Sequence, residues 1–259
     1  MHKIVLLDGG MGTMLQKGGL LPGEHPEVFG YDHPQVVRQV HQEYLEAGSE
    51  VLYSNTFGGN ARKLAGCKIG VEEAVEAAMA AAKEAIALSG KKARVALDVG
   101  PIGELLEPLG TLSFEEAYEV YREQMTAGER FGADLIVIET FTDLYDAKAA
   151  LLAAKENTSL PVWVTMTFEA NGRTFTGTTI ESMAVTLEGL GADAIGFNCS
   201  LGPKEILPLA KKMCQWTSLP MIIKPNAGLP DPGTGEYNLG SRDFARFMAE
   251  YEALGISYA

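Results

Sequence analysis

The chain has 259 residues, 46% of them hydrophobic and 21% charged, which suits one large globular domain. Its 34 acidic residues outnumber its 21 basic residues, and the formal net charge of -13 argues against nucleic acid or an anionic membrane as a partner. No apolar stretch approaches the roughly 18 residues of a membrane-spanning helix, and the first residues lack a secretory pattern, so we expect a cytoplasmic protein. The three cysteines, Cys67, Cys199 and Cys214, are widely spaced, which favours reduced thiols over a disulfide framework.

Short runs rich in β-branched residues alternate with longer helical patterns along the whole chain, and this alternation predicts parallel βα units. The predicted strands are Ile4–Asp8, Val51–Asn55, Arg94–Val99, Leu135–Thr140, Val162–Thr167, Ala194–Cys199, Met221–Pro225 and Ile256–Ala259. The predicted helices are Pro34–Ala47, Val71–Leu88, Phe114–Phe131, Leu144–Glu156, Ile180–Gly189, Pro203–Met213 and Ser241–Leu254. Eight such strands predict an α/β fold of the (β/α)8 TIM-barrel class, formed by residues 1–259 as a single domain with a truncated last strand.

Polar residues gather where the predicted strands end. The longest predicted irregular segments, Gln16–Asp32, Gly100–Leu112 and Ala227–Gly240, also follow strand ends. Because the carboxyl ends of barrel strands form one mouth, where barrel active sites lie, these residues are expected to converge there. The residues concerned are Asp8, Asn55, Thr56, Asp98, Glu139, Thr140, Asn198, Cys199 and Asn226.

Four motifs occur in a specific joint order: Leu7–Thr13 (LDGGMGT), Ser54–Gly58 (SNTFG), Gly196–Cys199 (GFNC) and Lys224–Gly228 (KPNAG). Together they resemble the homocysteine S-methyltransferase domain family, and the first and last motifs are most similar to the homocysteine-binding barrel of cobalamin-dependent methionine synthases. The resemblance runs the length of the chain. It implies a zinc-dependent enzyme that moves a methyl group to the thiolate of homocysteine, forming methionine.

The resemblance implies a zinc ion held by three cysteine thiolates, with the homocysteine sulfur as its fourth ligand. Cys199 matches the first of these cysteines, and the other two follow the last strand in the family, so we expect two further cysteines beyond Ala259. Asn226 matches an asparagine whose oxygen occupies the remaining zinc position until homocysteine displaces it. Considered without the family, Cys199 is also typical of a buried structural cysteine, and Asn226 of an Asx turn.

The resemblance also implies how the amino acid is held. The backbone N–H groups of the loop containing Gly10, Gly12 and Thr13 would bind the carboxylate, and Asp8 and Glu139 would bind the ammonium. The remaining predicted binding residues, which orient the loops or the amino acid, are Asn55, Thr56 and Asn198. Considered without the family, the residues allow two simpler interpretations: an ordinary tight turn at Gly9-Gly10 and an internal salt bridge for Glu139.

The methyl donor is not encoded in these motifs, although the methionine synthase resemblance favours methylcobalamin carried by a corrinoid protein or by separate folate and cobalamin domains. Two alternatives belong to other classes. The glycine-containing segments Gly172–Thr174 and Gly177–Thr179 fit another TIM-barrel enzyme with a phosphate or pterin ligand. If the chain natively ends at Ala259, the second alternative is a non-catalytic barrel that serves only as a binding module.

Overall fold

The computed structural model describes residues 3–229, 233, 237 and 239–259, and these residues form an α/β fold with six parallel strands. Two compact units are distinguished. The C-terminal unit comprises Met1–Val5, Glu139–Leu144 and Trp163–Ala259, and the N-terminal unit comprises Leu6–Ile138 and Tyr145–Val162. A single domain over residues 1–259 stays a prediction.

The elements within the described residues follow the predicted alternation. The strands are β1 (Val51–Tyr53), β2 (Arg94–Val99), β3 (Leu135–Phe141), β4 (Val162–Met166), β5 (Ala194–Asn198) and β6 (Met221–Lys224). The helices are α1 (Met11–Lys17), α2 (Pro26–Asp32), α3 (Pro34–Ala47), α4 (Val71–Ser89), α5 (Phe114–Arg130), α6 (Leu144–Asn157), α7 (Ile180–Gly189), α8 (Pro203–Met213) and α9 (Ser241–Ala253). Every predicted helix is present within two residues of its predicted bounds. Among the described residues, no helix has both the length and the hydropathy needed to cross a bilayer.

In the N-terminal unit, β1 pairs in parallel with β2, and β2 pairs in parallel with β3. Helix α3 ends at Gly48, whose φ of 110° is a left-handed conformation that glycine adopts without a Cβ penalty. The chain then turns directly into β1, and Leu45 of α3 packs with Leu52 of β1 and Ala85 of α4 in a buried cluster. Because this apolar face is buried, α3 has an amphipathic sequence pattern, and that pattern predicts the helix.

In the C-terminal unit, β5 lies between β4 and β6 in parallel pairs. Gly196 of β5 is opposite Ile222 of β6, and a Cβ added to Gly196 would lie 1.8 Å from the Ile222 carbonyl oxygen. Only glycine therefore fits this position, and its absent side chain lets β6 approach the strand that carries Asn198.

The first and last predicted strands form isolated parallel bridges rather than full strands. Tyr258 is bridged to Val5 on one side and to Ile222 on the other, while Leu7 is bridged to Val51 within the N-terminal unit. The Tyr258 ring also lies 4.1 Å, centroid to centroid, from the Trp163 ring. The terminal segment 256–259 thus has parallel partners on both sides.

The prediction that Gln16–Asp32 is irregular was wrong, because α2 and the end of α1 lie within it. Each of these helices has seven residues, about two turns, too few to show a helical period. Packing stabilises them instead: Leu15 of α1 and the following Leu20 are buried against Val37 and Val40 of α3. In the predicted loop Ala227–Gly240, residues 230–232, 234–236 and 238 lie outside the described residues.

His41 on α3 is fully buried, and neither of its ring nitrogens has a hydrogen-bond partner among the described residues. Burial disfavours the charged imidazolium and lowers the pKa of His41 to about 4. An unfolded chain would bind a proton at this histidine below its ordinary pKa of about 6.5, whereas the folded chain would not. Stability contributed by the neutral form is therefore present above pH 6.5 and lost as the pH falls towards 4.

We expect His41→Gln to remove about 2 kcal/mol of the fall in unfolding free energy between pH 7 and pH 5, because glutamine does not titrate. Urea unfolding of the wild type and the variant at both pH values measures this difference. His25→Gln, which removes an exposed imidazole, is the matched control and should change the pH dependence much less than His41→Gln does. An equal loss of stability in wild type and His41→Gln would contradict the prediction.

Candidate functional site

Cys199 directly follows β5, and its backbone is held in a conformation that few side chains adopt. Its φ is 57°, the φ of Ser200 is 61°, and both values lie in the left-handed region. The Cys199 N–H donates to the Lys224 carbonyl at 3.1 Å, which extends the pairing of β5 with β6 by one residue. Cys199 itself is only half-buried. Strained backbone of this kind clusters at functional sites, since the surrounding structure has to maintain it.

The side-chain amide of Asn198 connects Cys199 to the end of β3. Its Oδ1 accepts the Thr140 N–H at 2.9 Å, and its Nδ2 donates to Thr140 Oγ1 at 2.7 Å and to Cys199 Sγ at 3.3 Å. Thr140 also has a positive φ, 68°, which is rare for a β-branched residue. Asn198 is 1% exposed and its bonds to Thr140 and Cys199 are part-buried, so loss of a partner here is costly.

Glu139 precedes Thr140 and lies against a lysine of β6. Its Oε2 is 3.7 Å from Lys224 Nζ, and the two side chains are 12% and 19% exposed. The internal salt bridge considered from the sequence is therefore present. At 3.7 Å the contact is an ion pair and not a hydrogen bond, and Glu139 Oε2 has no hydrogen-bond partner among the described residues.

Asn226 lies in the loop after β6, beside the loop that follows Cys199. The Asn226 N–H donates to the Leu201 carbonyl at 3.1 Å. A Cβ added to Gly202 would lie 2.9 Å from Gly228 Cα, so the two loops touch backbone to backbone. The C-terminal unit thus brings Glu139, Asn198 and Cys199 together, with Asn226 in the adjoining loop.

The other predicted site residues belong to the N-terminal unit. Asp8 is buried, and its Oδ2 accepts the Tyr53 N–H at 2.7 Å. Gly10 precedes α1, and its carbonyl accepts the hydroxyl of Thr13 at 3.2 Å and that of Tyr44 at 3.3 Å. Gly10, Gly12 and Thr13 are exposed. The first N–H groups of a helix have no intrahelical acceptor, so this loop presents donors to an anion.

Asn55 and Thr56 hold the backbone after β1 rather than facing outward. Asn55 Nδ2 donates to the Pro26 carbonyl at 2.7 Å, and Thr56 Oγ1 donates to the Asp98 carbonyl at 2.7 Å. Both residues are buried. These contacts fit the predicted role of orienting the surrounding loops.

A buried carboxylate, Glu27, was missed by sequence reasoning because it lies in a segment predicted to be irregular. It is 4% exposed, and its Oε1 accepts the Gly58 N–H at 2.5 Å. Burial raises the pKa of Glu27, and this rise is opposed by its hydrogen bonds and by the nearby Lys63. Lys63 Nζ lies 5.0 Å from the centroid of the Phe57 ring, and burial lowers its pKa. No feature of the sequence indicates that Glu27 reaches the loop after β1.

The described residues alone do not complete a zinc site, since they contain no group of three or more His, Cys, Asp or Glu side chains placed to hold a metal ion. Cys199 supplies one sulfur of the kind that zinc prefers. Cys67 belongs to the N-terminal unit, and Cys214 is exposed after α8 with its Sγ 3.6 Å from Met221 Sδ.

The fold is that of an α/β protein with parallel strands, a class in which functional groups commonly lie at the carboxyl ends of the strands. Residues 5–258 match the family model described as homocysteine S-methyltransferase, and the chain belongs to this family. This confirms the predicted membership of the homocysteine S-methyltransferase family.

Similarity to individual proteins supports the family assignment. Over 99% of its length the chain is 30% identical to a methionine synthase of Mycobacterium tuberculosis (strain ATCC 25618 / H37Rv), and it spans 23% of that relative. It superposes on the oxidised form of the homocysteine methyltransferase MmuM from Escherichia coli with a TM-score of 0.84 at 21% identity, covering 98% of this chain and 89% of that chain. The metallated form of MmuM gives a TM-score of 0.83 at 20% identity, with 98% and 90% covered. At these identities the structural likeness shows the fold.

We expect Asn198→Ala to lower the free energy of unfolding by about 1 to 3 kcal/mol, because it leaves the part-buried Thr140 N–H without its acceptor. Chemical denaturation measures the loss. The matched control is Asn171→Ala at an exposed asparagine in the same unit, which is expected to change stability by about 0.5 kcal/mol or less. Equal, small effects of the two substitutions would show that the Asn198 amide does not hold the strained backbone.

Proposed function

We propose that this chain binds homocysteine and supports transfer of a methyl group to its sulfur, forming methionine. The single observation that carries the proposal is the Cys199 thiol on strained backbone, which accepts a hydrogen bond from Asn198 and lies 3.8 Å from the hydroxyl of Thr140, the residue after Glu139. In the reaction the bond between the methyl carbon and its donor breaks and a carbon–sulfur bond forms. The chain's part is to hold the amino acid so that its sulfur lies at the carboxyl end of β5.

Glu139 is the proposed partner of the homocysteine ammonium, together with Asp8. A mostly buried carboxylate oxygen without a hydrogen bond is stabilised by a cation that can donate one. The exposed loop of Gly10, Gly12 and Thr13 is the proposed carboxylate site, because its N–H groups begin α1. Asn55, Thr56 and Asn198 keep the surrounding backbone in place through their hydrogen bonds.

Zinc is the proposed metal, with Cys199 as one ligand, two further cysteines beyond Ala259, and Asn226 as the exchangeable ligand. Ile223 N–H donates to the Tyr258 carbonyl at 2.9 Å, so the chain at Ala259 runs towards the level of Lys224. When bound, zinc would keep the homocysteine sulfur as a thiolate at neutral pH. The metallated form of MmuM supports a metal in this family.

Methylcobalamin is the proposed methyl donor, supplied by a corrinoid protein or by folate and cobalamin domains. The support is the similarity to methionine synthase, of which this chain spans 23%. A cytoplasmic location stays a prediction. The complete (β/α)8 barrel also remains a proposal, supported by the parallel bridges that Val5, Leu7 and Tyr258 form.

A phosphate or pterin ligand at Gly172–Thr174 and Gly177–Thr179 is disfavoured by the contacts of this segment. Arg173 Nη1 donates to the Gly177 carbonyl at 2.9 Å, and the Arg173 N–H donates to Asn171 Oδ1 at 2.8 Å. The guanidinium therefore closes its own turn, where an anion site would need it directed at a ligand.

We expect Cys199→Ser, made in the protein as its gene encodes it, to lower bound zinc and methyl transfer to homocysteine at least tenfold while the protein stays folded, because a hydroxyl is a poor zinc ligand. Metal analysis, a methionine-formation assay and circular dichroism measure the three quantities. Cys214→Ser, at an exposed thiol, is the control and should change none of them. Full zinc content and activity in Cys199→Ser would remove this residue from the site.

We expect Glu139→Gln to weaken homocysteine binding by about tenfold or more, because a charge-assisted hydrogen bond to the ammonium is lost. Isothermal titration calorimetry measures the affinity directly. Glu169→Gln, at an exposed glutamate of the same unit, is the control. Equal affinities for wild type and Glu139→Gln would place the ammonium elsewhere.

A further inference from the structure

Lys224 and Glu139 form an ion pair within the proposed amino-acid site. Lys224 ends β6, and its Nζ lies 3.7 Å from Glu139 Oε2, with both side chains less than one-fifth exposed. The chain around both residues contacts Cys199: the Lys224 carbonyl accepts the Cys199 N–H, and Thr140, which follows Glu139, has its Oγ1 3.8 Å from Cys199 Sγ. A primary ammonium therefore lies against the carboxylate that would receive the ammonium of homocysteine.

The geometry of this pair is incomplete. At 3.7 Å the lysine neutralises the carboxylate without donating a hydrogen bond to Oε2, which has no hydrogen-bond partner among the described residues. The ammonium of a free ligand can approach to hydrogen-bond distance, because it is not tethered to β6. The lysine side chain has four methylene groups, so its ammonium can move while the strand stays in place.

We propose that Lys224 occupies the ammonium position when no amino acid is bound and is displaced when an amino-acid thiol binds. This inference rests on the proposed function. Its consequence is that Lys224 sets both affinity and selectivity, since only a ligand with its own ammonium replaces the charge that the lysine withdraws. A thiol without an amino group leaves the pair of Lys224 and Glu139 intact. Lys224 is thus a specificity-determining residue that acts through Glu139.

The test compares three thiols that differ in their charged groups. Homocysteine carries an ammonium and a carboxylate, 3-aminopropane-1-thiol carries only the ammonium, and 4-sulfanylbutanoate carries only the carboxylate. Calorimetry measures the affinity of each for the wild type and for Lys224→Met. Removal of the competing ammonium is expected to tighten binding of homocysteine and of 3-aminopropane-1-thiol by about fivefold, and to leave 4-sulfanylbutanoate unchanged.

Further variants separate competition from altered packing. Lys224→Arg keeps a cation and should bind homocysteine about as the wild type does, and Lys224→Gln replaces Lys224→Met if the methionine variant does not fold. Lys224→Met in the Glu139→Gln background should have no effect on homocysteine affinity, because the competition acts only through the carboxylate. Lys211→Met removes a charge at an exposed position of the same unit and should leave all affinities unchanged.

Two results would overturn the inference while the proposed function stands. Weaker binding of homocysteine and 4-sulfanylbutanoate by Lys224→Met would show that the lysine holds the substrate carboxylate. Unchanged affinities for all three thiols would show that the ion pair is purely structural. A wild-type protein that binds no homocysteine would instead overturn the proposed function, and the inference with it.

Discussion

The side-chain amide of Asn198 is the contact on which the C-terminal site depends. Its oxygen and nitrogen hold the backbone and hydroxyl of Thr140, and its nitrogen also reaches Cys199 Sγ. Thr140 and Cys199 both have positive φ values, a conformation that costs of order 1 to 3 kcal/mol per residue and persists only where neighbouring contacts enforce it. A single buried amide therefore fixes both the carboxylate-bearing end of β3 and the thiol that follows β5.

Close backbone contact and charge compensation complete this arrangement. Gly196 allows β6 to lie directly beside β5, and Gly202 and Gly228 allow the loops after these strands to touch. Lys224, at the end of β6, lies next to Glu139. The largely buried Glu139 carboxylate therefore has a counter-charge within the protein. The Glu139 carboxylate is thus paired with a cation from the neighbouring strand end within the same unit.

The sequence predicted the parts of the fold that have long or repeated patterns. Helix α3 and helices α7 and α8 have the predicted bounds because each spans ten or more residues and buries one face. Helices α1 and α2 could not be predicted in this way, since each has seven residues and is stabilised by contacts with α3. The position of Glu27 beside Gly58 depends on α2 and was invisible for the same reason.

By itself the sequence determined the family and the residue types available to the site, because its four motifs lie at strand ends whose order follows from the βα alternation. The tertiary structure alone decided which of those residues meet. The Asn198 side chain forms hydrogen bonds with both Thr140 and Cys199. Glu139 forms an ion pair with Lys224, which is 85 positions away in the chain. Such contacts depend on strand register and on side-chain positions that must be correct to a few tenths of an ångström. Residue type and spacing in the sequence determine neither of them.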